Sequence, residues 1–410
     1  MTNDPTGMRP IGRRDCFALL AGGLAALAGD AAAAPAASGF PQWVESFRPR
    51  ATARGVSDAT YTRVMGNVKP DISVYSQIRD QPEFNEVLWQ YLNRRVSEYR
   101  INQGRIYVKQ QAALFDRIER DYGVDRYILA ALWGVESSFG ELVDNPKYMR
   151  PVIPALAALA YGEPRRRTYW EQELINALRI IERGWSNPDE MRGSWAGAMG
   201  HTQWMPEVWL NIGIDYDHDG RINPFGKPDD ALASTASYLV KRGKYRRGEH
   251  WGYEVRRPKG AGEASRSYAA WQQLGVARAD GQAFPHPNAS ARLWAAADDG
   301  PVFLLGQNFA AVKTYNPSTS YALAIVLLAD RIAGGGPLVQ AFPGSERPLT
   351  LAELQELQRK LTAAGFDTGG ADGRVGSDTM RAVRSFQKKQ GMEPADGYAG
   401  LKVLARLRGS

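Results

Sequence analysis

Glu136 stands in "WGVESSFG", Trp133 to Gly140, at the end of a run that is almost wholly apolar. Trp133 and Leu132 precede it by three and four positions, and Leu129 and Ile128 by seven and eight, so at helical spacing these side chains share one face. Asp125 is placed to cap the start of this helix and Gly140 to stop it, which puts Glu136 in the last turn. A carboxyl on an apolar face is partly desolvated. Desolvation disfavours its charged form and raises its pKa, as a general acid working near neutral pH requires. Taken alone, the octapeptide fits a solvated last-turn glutamate, or one tied to an arginine, at least as well.

Other segments carry groups suited to sugars or metals. "GSWAGAMGHTQWMP", Gly193 to Pro206, sets Ser194 and Gln203 among glycines and tryptophans. Glycines let backbone approach a ligand and tryptophans offer flat faces to sugar rings, while a plain glycine-rich connector has the same composition. "DYDHDGRIN" puts Asp215, Asp217 and Asp219 at the first, third and fifth positions of a calcium loop, with Gly220 at the turn and the Arg221 carbonyl seventh. Its twelfth position is Gly226 rather than glutamate, so Asp230 or Asp229 must close the shell of a structural calcium. "KTYNPSTSYALAI" supplies Tyr315, Asn316 and Tyr321, which can line a sugar site or cap a helix. "PRRRTYW" sets Arg165 and Arg166 beside Tyr169, ready to meet carboxylates or simply to start a wet helix.

These groups need a mainly helical scaffold. Between Phe40 and Ile332, "YILAALWGVESSF", "YWEQELINALRIIERG", "DALASTASYLVKRG" and "SYALAIVLLADRIAGGG" each carry an apolar stripe of helical period. The Gly/Pro/Ala-rich stretch 253–300 resists assignment, with short strands such as "PVFLL" expected near its end. Gly334 to Pro348 has the composition of a flexible linker, and beyond it Leu351, Leu354, Leu357 and Leu361, then Met380, Val383 and Phe386, stripe a small helical module.

A chain of 410 residues exceeds one usual core, and 44% hydrophobic residues exclude wholesale disorder. The net charge of +7 points to an anionic partner, but no compact Lys/Arg tract argues for nucleic acid. Residues 1–36 read as an export signal: a basic start, an apolar stretch too short to span a bilayer, then small residues, with Arg13 and Arg14 hinting at twin-arginine export. Cys16, the sole cysteine, leaves with that signal, which excludes thiol catalysis, disulfides and cysteine metal sites from the mature chain. His201, His218, His250 and His286 are scattered at no ligand spacing, which speaks against a zinc hydrolase.

In their order, "WGVESSFG", "PRRRTYW", "GSWAGAMGHTQWMP", "DYDHDGRIN" and "TYNPSTSY" closely resemble the lytic murein transglycosylase B family, and "YLNRRVSEYRINQG" upstream does so too. The "DGRVGSDTMRAVRSFQ" stretch resembles the helical peptidoglycan-binding module of many wall hydrolases. The resemblance implies a mainly α fold: a lysozyme-like catalytic domain with helical elaborations and a small EF-hand-like loop at 37–333, a linker at 334–348 and the binding module at 349–410. It implies that Glu136 is catalytic and that Tyr91, Arg165, Arg166, Tyr169, Ser194, Gln203, Tyr238, Tyr315, Asn316 and Tyr321 contact sugars or peptide stems. Asp215, Asp217, Asp219, the Arg221 carbonyl and Asp230 would hold calcium, and catalysis would need no cofactor. His201 and Thr202 stand where that family often has Tyr and Gly. The implied setting is the periplasm and the implied partner is peptidoglycan glycan strands, not nucleic acid or, after signal cleavage, a membrane; assembly with other wall enzymes stays open.

Most glycosidases use two carboxylates; the resemblance implies one. Glu136 would protonate the oxygen joining N-acetylmuramic acid to N-acetylglucosamine, then take a proton from the muramic 6-hydroxyl as that group closes a 1,6-anhydro ring. No water is consumed, and a nucleophile already in place removes the entropy cost of recruiting one. A muramidase using water on the same acid, and an inert wall-binding protein, are the alternatives. The linker implies that the module concentrates substrate without shaping the site.

Overall fold

The helix that carries Glu136 begins as its sequence dictates. In the structure, a computed structural model that describes residues 37–79, 86–257 and 264–409, Asp125 Oδ1 accepts the backbone N–H groups of Tyr127 (2.7 Å) and Ile128 (3.3 Å). Helix Arg126–Ser137 follows, with every residue from Ile128 onward buried. It ends before Gly140, because Ser138 and Phe139 both adopt left-handed backbone, at φ 51° and 60°. The Phe139 N–H donates back to the Trp133 carbonyl at 3.2 Å, which closes the helix end. This turn lays the Phe139 ring against Trp133 (centroids 5.7 Å) and Tyr107 (5.1 Å). It also presses the ring on Gly134, where an added Cβ would sit 2.5 Å from it.

The described residues fall into two units. One comprises 37–79, 140–234 and 314–318. Its helix Val152–Gly162 is apolar all round and buried almost throughout, as a central helix must be. Arg150–Pro151 pairs antiparallel with Arg192–Gly193 and leads the chain into the glycine-rich segment.

The other unit comprises 86–139, 235–313 and 319–409. Besides Arg126–Ser137 it holds helices Leu88–Arg95, Glu98–Gln110 and Thr319–Ile332. An antiparallel sheet runs in the order Ser265–Ser267, Ser290–Ala295, Val302–Leu305, Gly252–Arg256 and Ala277–Arg278. Tyr253, Tyr268, Trp271 and Phe284 pack on it. "PVFLL" supplies one of these strands, as expected. The rest were illegible because short strands split by Gly and Pro leave little alternation.

Helices Leu351–Ala363, Ser377–Lys389 and Leu401–Arg408 enclose a core of their own that includes Leu357, Leu361, Val383, Phe386 and Leu404. The reading of 334–348 as a loose tether needs correction. The N–H groups of Val339 and Gln340 each donate to the Glu254 carboxylate at 2.8 Å, and the Glu346 carbonyl accepts from Asn93 Nδ2 at 3.0 Å. Composition describes a chain whose backbone groups go to water; at Val339, Gln340 and Glu346 protein groups take them. Among the described residues no helix is long and apolar enough to cross a membrane. The export signal lies outside the described residues.

Gly134→Ala should destabilise the fold by about 1–3 kcal/mol, because the Phe139 ring, packed against Trp133 and Tyr107, must shift to admit a methyl group. A melting temperature equal to that of the wild type would contradict this packing.

Candidate active site

Glu136 is fully buried. Its Oε1 accepts a hydrogen bond from the Tyr321 hydroxyl on helix Thr319–Ile332, while Oε2, also buried, has no hydrogen-bond partner. Burial lifts the carboxyl pKa to about 8; the Tyr321 hydrogen bond and the charge of Arg95 pull downward without offsetting it. At neutral pH the group is therefore a neutral acid. With Oε1 occupied as an acceptor, Oε2 is the oxygen from which a proton can leave.

Two arginines in "YLNRRVSEYRINQG" complete this end of the site, and the sequence reading missed both. Arg95 is buried and lies over the Tyr91 ring at 5.3 Å, so Tyr91 steadies the cation nearest in effect to Glu136. Arg100 donates from Nε to the Gly134 carbonyl at 3.2 Å and from Nη1 to the Arg94 carbonyl at 2.9 Å, joining the two helices around Glu136. Burial lowers its pKa to about 9. The available signal was arginine repeated within a segment whose neighbours face a core. Tyr238, in the same unit, is buried under the Arg242 guanidinium at 5.4 Å.

The remaining sugar-site candidates belong to the other unit. The Ser194 N–H donates to the Ala198 carbonyl (2.8 Å) and its Oγ accepts the Ala198 N–H (3.2 Å), folding the glycine-rich segment tightly. Gly200 is required there: its φ is 72°, and a Cβ would lie 2.2 Å from the Pro224 carbonyl. Gln203, at φ 54°, donates from Nε2 to the Gly200 carbonyl at 3.0 Å, which leaves its buried Oε1 without a hydrogen-bond partner. Such an oxygen is costly unless a ligand donor meets it. The Tyr315 hydroxyl donates to the Thr202 carbonyl at 2.5 Å, and Asn316 Oδ1 accepts the Ser318 N–H at 2.9 Å. Arg165 is exposed, and Arg166 stacks over Tyr169 at 4.7 Å.

Asp215, Asp217 and Asp230 each bring a carboxylate oxygen within 4.8 Å of the other two. Oxygens bound to one calcium at 2.3–2.6 Å lie up to about 5 Å apart, so this hard, anionic set fits the ion. Asp230, not Asp229, closes the group. Asp219 lies outside it: its Oδ1 accepts the Arg221 N–H at 2.9 Å, while Asp215 accepts the N–H groups of Asp219 (3.1 Å) and Gly220 (2.9 Å).

The transglycosylase SLT domain family model matches residues 39–330. The chain belongs to that family. A peptidoglycan binding domain model matches residues 350–407 of the same transglycosylase. It is similar to SltB3 from Pseudomonas aeruginosa, solved in complex with NAG-anhNAM-pentapeptide, at 40% identity and a TM-score of 0.69 over 90% of this chain and 99% of that one. The Escherichia coli lytic transglycosylase Slt35, solved in complex with calcium, matches at 25% identity and a TM-score of 0.60 over 71% of this chain and 92% of that one. The membrane-bound lytic murein transglycosylase B of Escherichia coli (strain K12) is 27% identical over 274 residues, 66% of this chain and 73% of that protein. The transglycosylase is thus a peptidoglycan lyase with a mainly helical, lysozyme-like fold and a C-terminal helical binding domain.

Because burial holds the folded-state pKa of Glu136 above its unfolded value, the stability it allows is full below about pH 4.5 and is lost as pH rises to about 8. Glu136→Gln removes that loss. The melting temperature of the variant should gain on that of the wild type between pH 4.5 and 8 and then run parallel. A gap that is constant with pH would contradict the burial assignment.

Proposed function

We propose that Glu136 is the sole acid and base by which this lytic transglycosylase cuts the MurNAc–GlcNAc β-1,4 bond and leaves 1,6-anhydro-MurNAc ends. The observation that carries this is the buried carboxyl with one oxygen taken by Tyr321 and the other without a hydrogen-bond partner, its pKa lifted to about 8 by burial. Among the described residues, the groups that shift its pKa besides burial are the Tyr321 hydroxyl and the charge of Arg95. Proton donation to the glycosidic oxygen leaves the Glu136 carboxylate to accept the muramic 6-hydroxyl proton as that oxygen attacks C1. Arg95 and the Tyr321 hydroxyl stabilise the transient anion.

Ser194 and Gln203 meet sugar amides and hydroxyls in this reading, with Tyr238, Tyr315 and Asn316 as further sugar contacts. Arg165, Arg166 and Tyr169 meet the acidic peptide stem. Asp215, Asp217 and Asp230, with the Arg221 carbonyl and Asp219 completing an EF-hand-like loop, hold a structural calcium. Residues 1–36 direct export to the periplasm, 37–333 form the catalytic region, 334–348 connect it to the module, and residues 349–410 engage the wall.

Glu136→Gln should fold normally and lose at least about 10²-fold in turnover. Mass spectrometry of wild-type digests should find 1,6-anhydro ends; reducing MurNAc ends would identify a muramidase instead. Calcium should raise the melting temperature of metal-stripped protein, and Asp215→Ala with Asp230→Ala should abolish the rise, since binding to the folded state alone stabilises it. Indifference of the stripped wild type to added calcium would sink the metal reading.

A further inference from the structure

The "DGRVGSDTMRAVRSFQ" stretch does more than mark a wall-binding module: one of its side chains reaches the end of the Glu136 helix. Arg374 Nη2 donates to Ser138 Oγ at 3.0 Å, and its guanidinium lies 5.2 Å over the Tyr99 ring. Ser138 is the left-handed residue that ends helix Arg126–Ser137, two positions after Glu136. Left-handed backbone at a residue with a side chain persists only where its surroundings impose it.

Arg374 is itself firmly planted. Its N–H donates to Asp372 Oδ1 at 2.9 Å and its carbonyl accepts from Gln358 Nε2 at 3.0 Å; the same buried Gln358 accepts the Gly373 N–H at 2.7 Å. Further bonds fix the module on the helices that carry Arg95 and Arg100. Gln90 donates to Asp396 at 2.8 Å, Asn93 to the Tyr398 hydroxyl at 2.9 Å, and the Leu351 N–H to Glu98 at 2.6 Å.

We infer that Arg374 is a positioning residue for catalysis: by holding Ser138 it fixes the last turn of the helix and so the direction in which the Glu136 carboxyl points. The C-terminal module is then part of the catalytic apparatus as well as a wall anchor. This rests on the reading of Glu136 as the acid.

The test uses the full chain on a short soluble glycan, beside retention on insoluble sacculi. Arg374→Ala should lower kcat about three- to tenfold, the worth of one misplaced hydrogen bond, with KM and retention near wild type. Ser138→Gly suits the left-handed backbone and removes the side chain that Arg374 holds; it should give the same drop, and the double variant should fall no further. If Arg374→Ala fails to fold, Ser138→Gly decides alone: a kcat equal to wild type overturns the inference. Additive losses, or reduced retention at unchanged kcat, also overturn it. Activity in Glu136→Gln would instead mean that the acid is misassigned, whereas an inert Glu136→Gln beside a fully active Arg374→Ala leaves the acid standing and removes only the positioning role.

Discussion

A single carboxyl taken out of water sets the terms for this half of the molecule. Glu136 is buried on a helix whose other side chains from Ile128 to Ser137 are buried too, so water does not solvate its charge. Left ionised it would be costly. Held neutral by that burial, it keeps its proton at neutral pH. Tyr321 fixes one oxygen without neutralising the effect, and Arg95 is near enough to favour the anion yet does not bring the pKa down to the ordinary range. The balance suits a group that must give a proton and then take one back.

The surrounding elements serve to keep that carboxyl in place. Gly134 lacks a side chain so that the Phe139 ring can close over the helix end. Ser138 and Phe139 accept unfavourable backbone angles to make that turn, at a cost of about 1–2 kcal/mol each, which the packing of Trp133, Tyr107 and Phe139 must offset. Arg100 crosses from the neighbouring helix to the Gly134 carbonyl. Strain of this kind is common where a side chain must be aimed rather than merely accommodated.

Local signals carried much of this into the sequence. Asp125 as a cap, the apolar stripe before Glu136 and the alternating acids of "DYDHDGRIN" are all contained within a few residues, and each has a short-range physical reason. The choice between Asp229 and Asp230 needed the fold, because it depends on where helix Asp229–Lys241 starts relative to the loop. Tyr321 was expected to touch sugar; its bond to Glu136 joins positions 185 residues apart, and nothing in either segment announces the other. Arg95, Arg100 and Arg374 were hidden for the same reason, since an arginine in a sequence looks solvated until its neighbours are known. The linker composition at 334–348 was misleading because the groups that tie it down, Glu254 and Asn93, lie far away in the chain.

The central claim is the protonation state of Glu136, and it can be read directly. Carbon-13 NMR titration of protein labelled at the glutamate δ-carbons, with the Glu136→Gln spectrum subtracted, isolates its resonance from that of Glu173, another buried glutamate with a pKa lifted to about 8. The account predicts a resonance that titrates near pH 8 and is absent from the variant. A Glu136 signal that titrates in the ordinary range near 4.5 would contradict it.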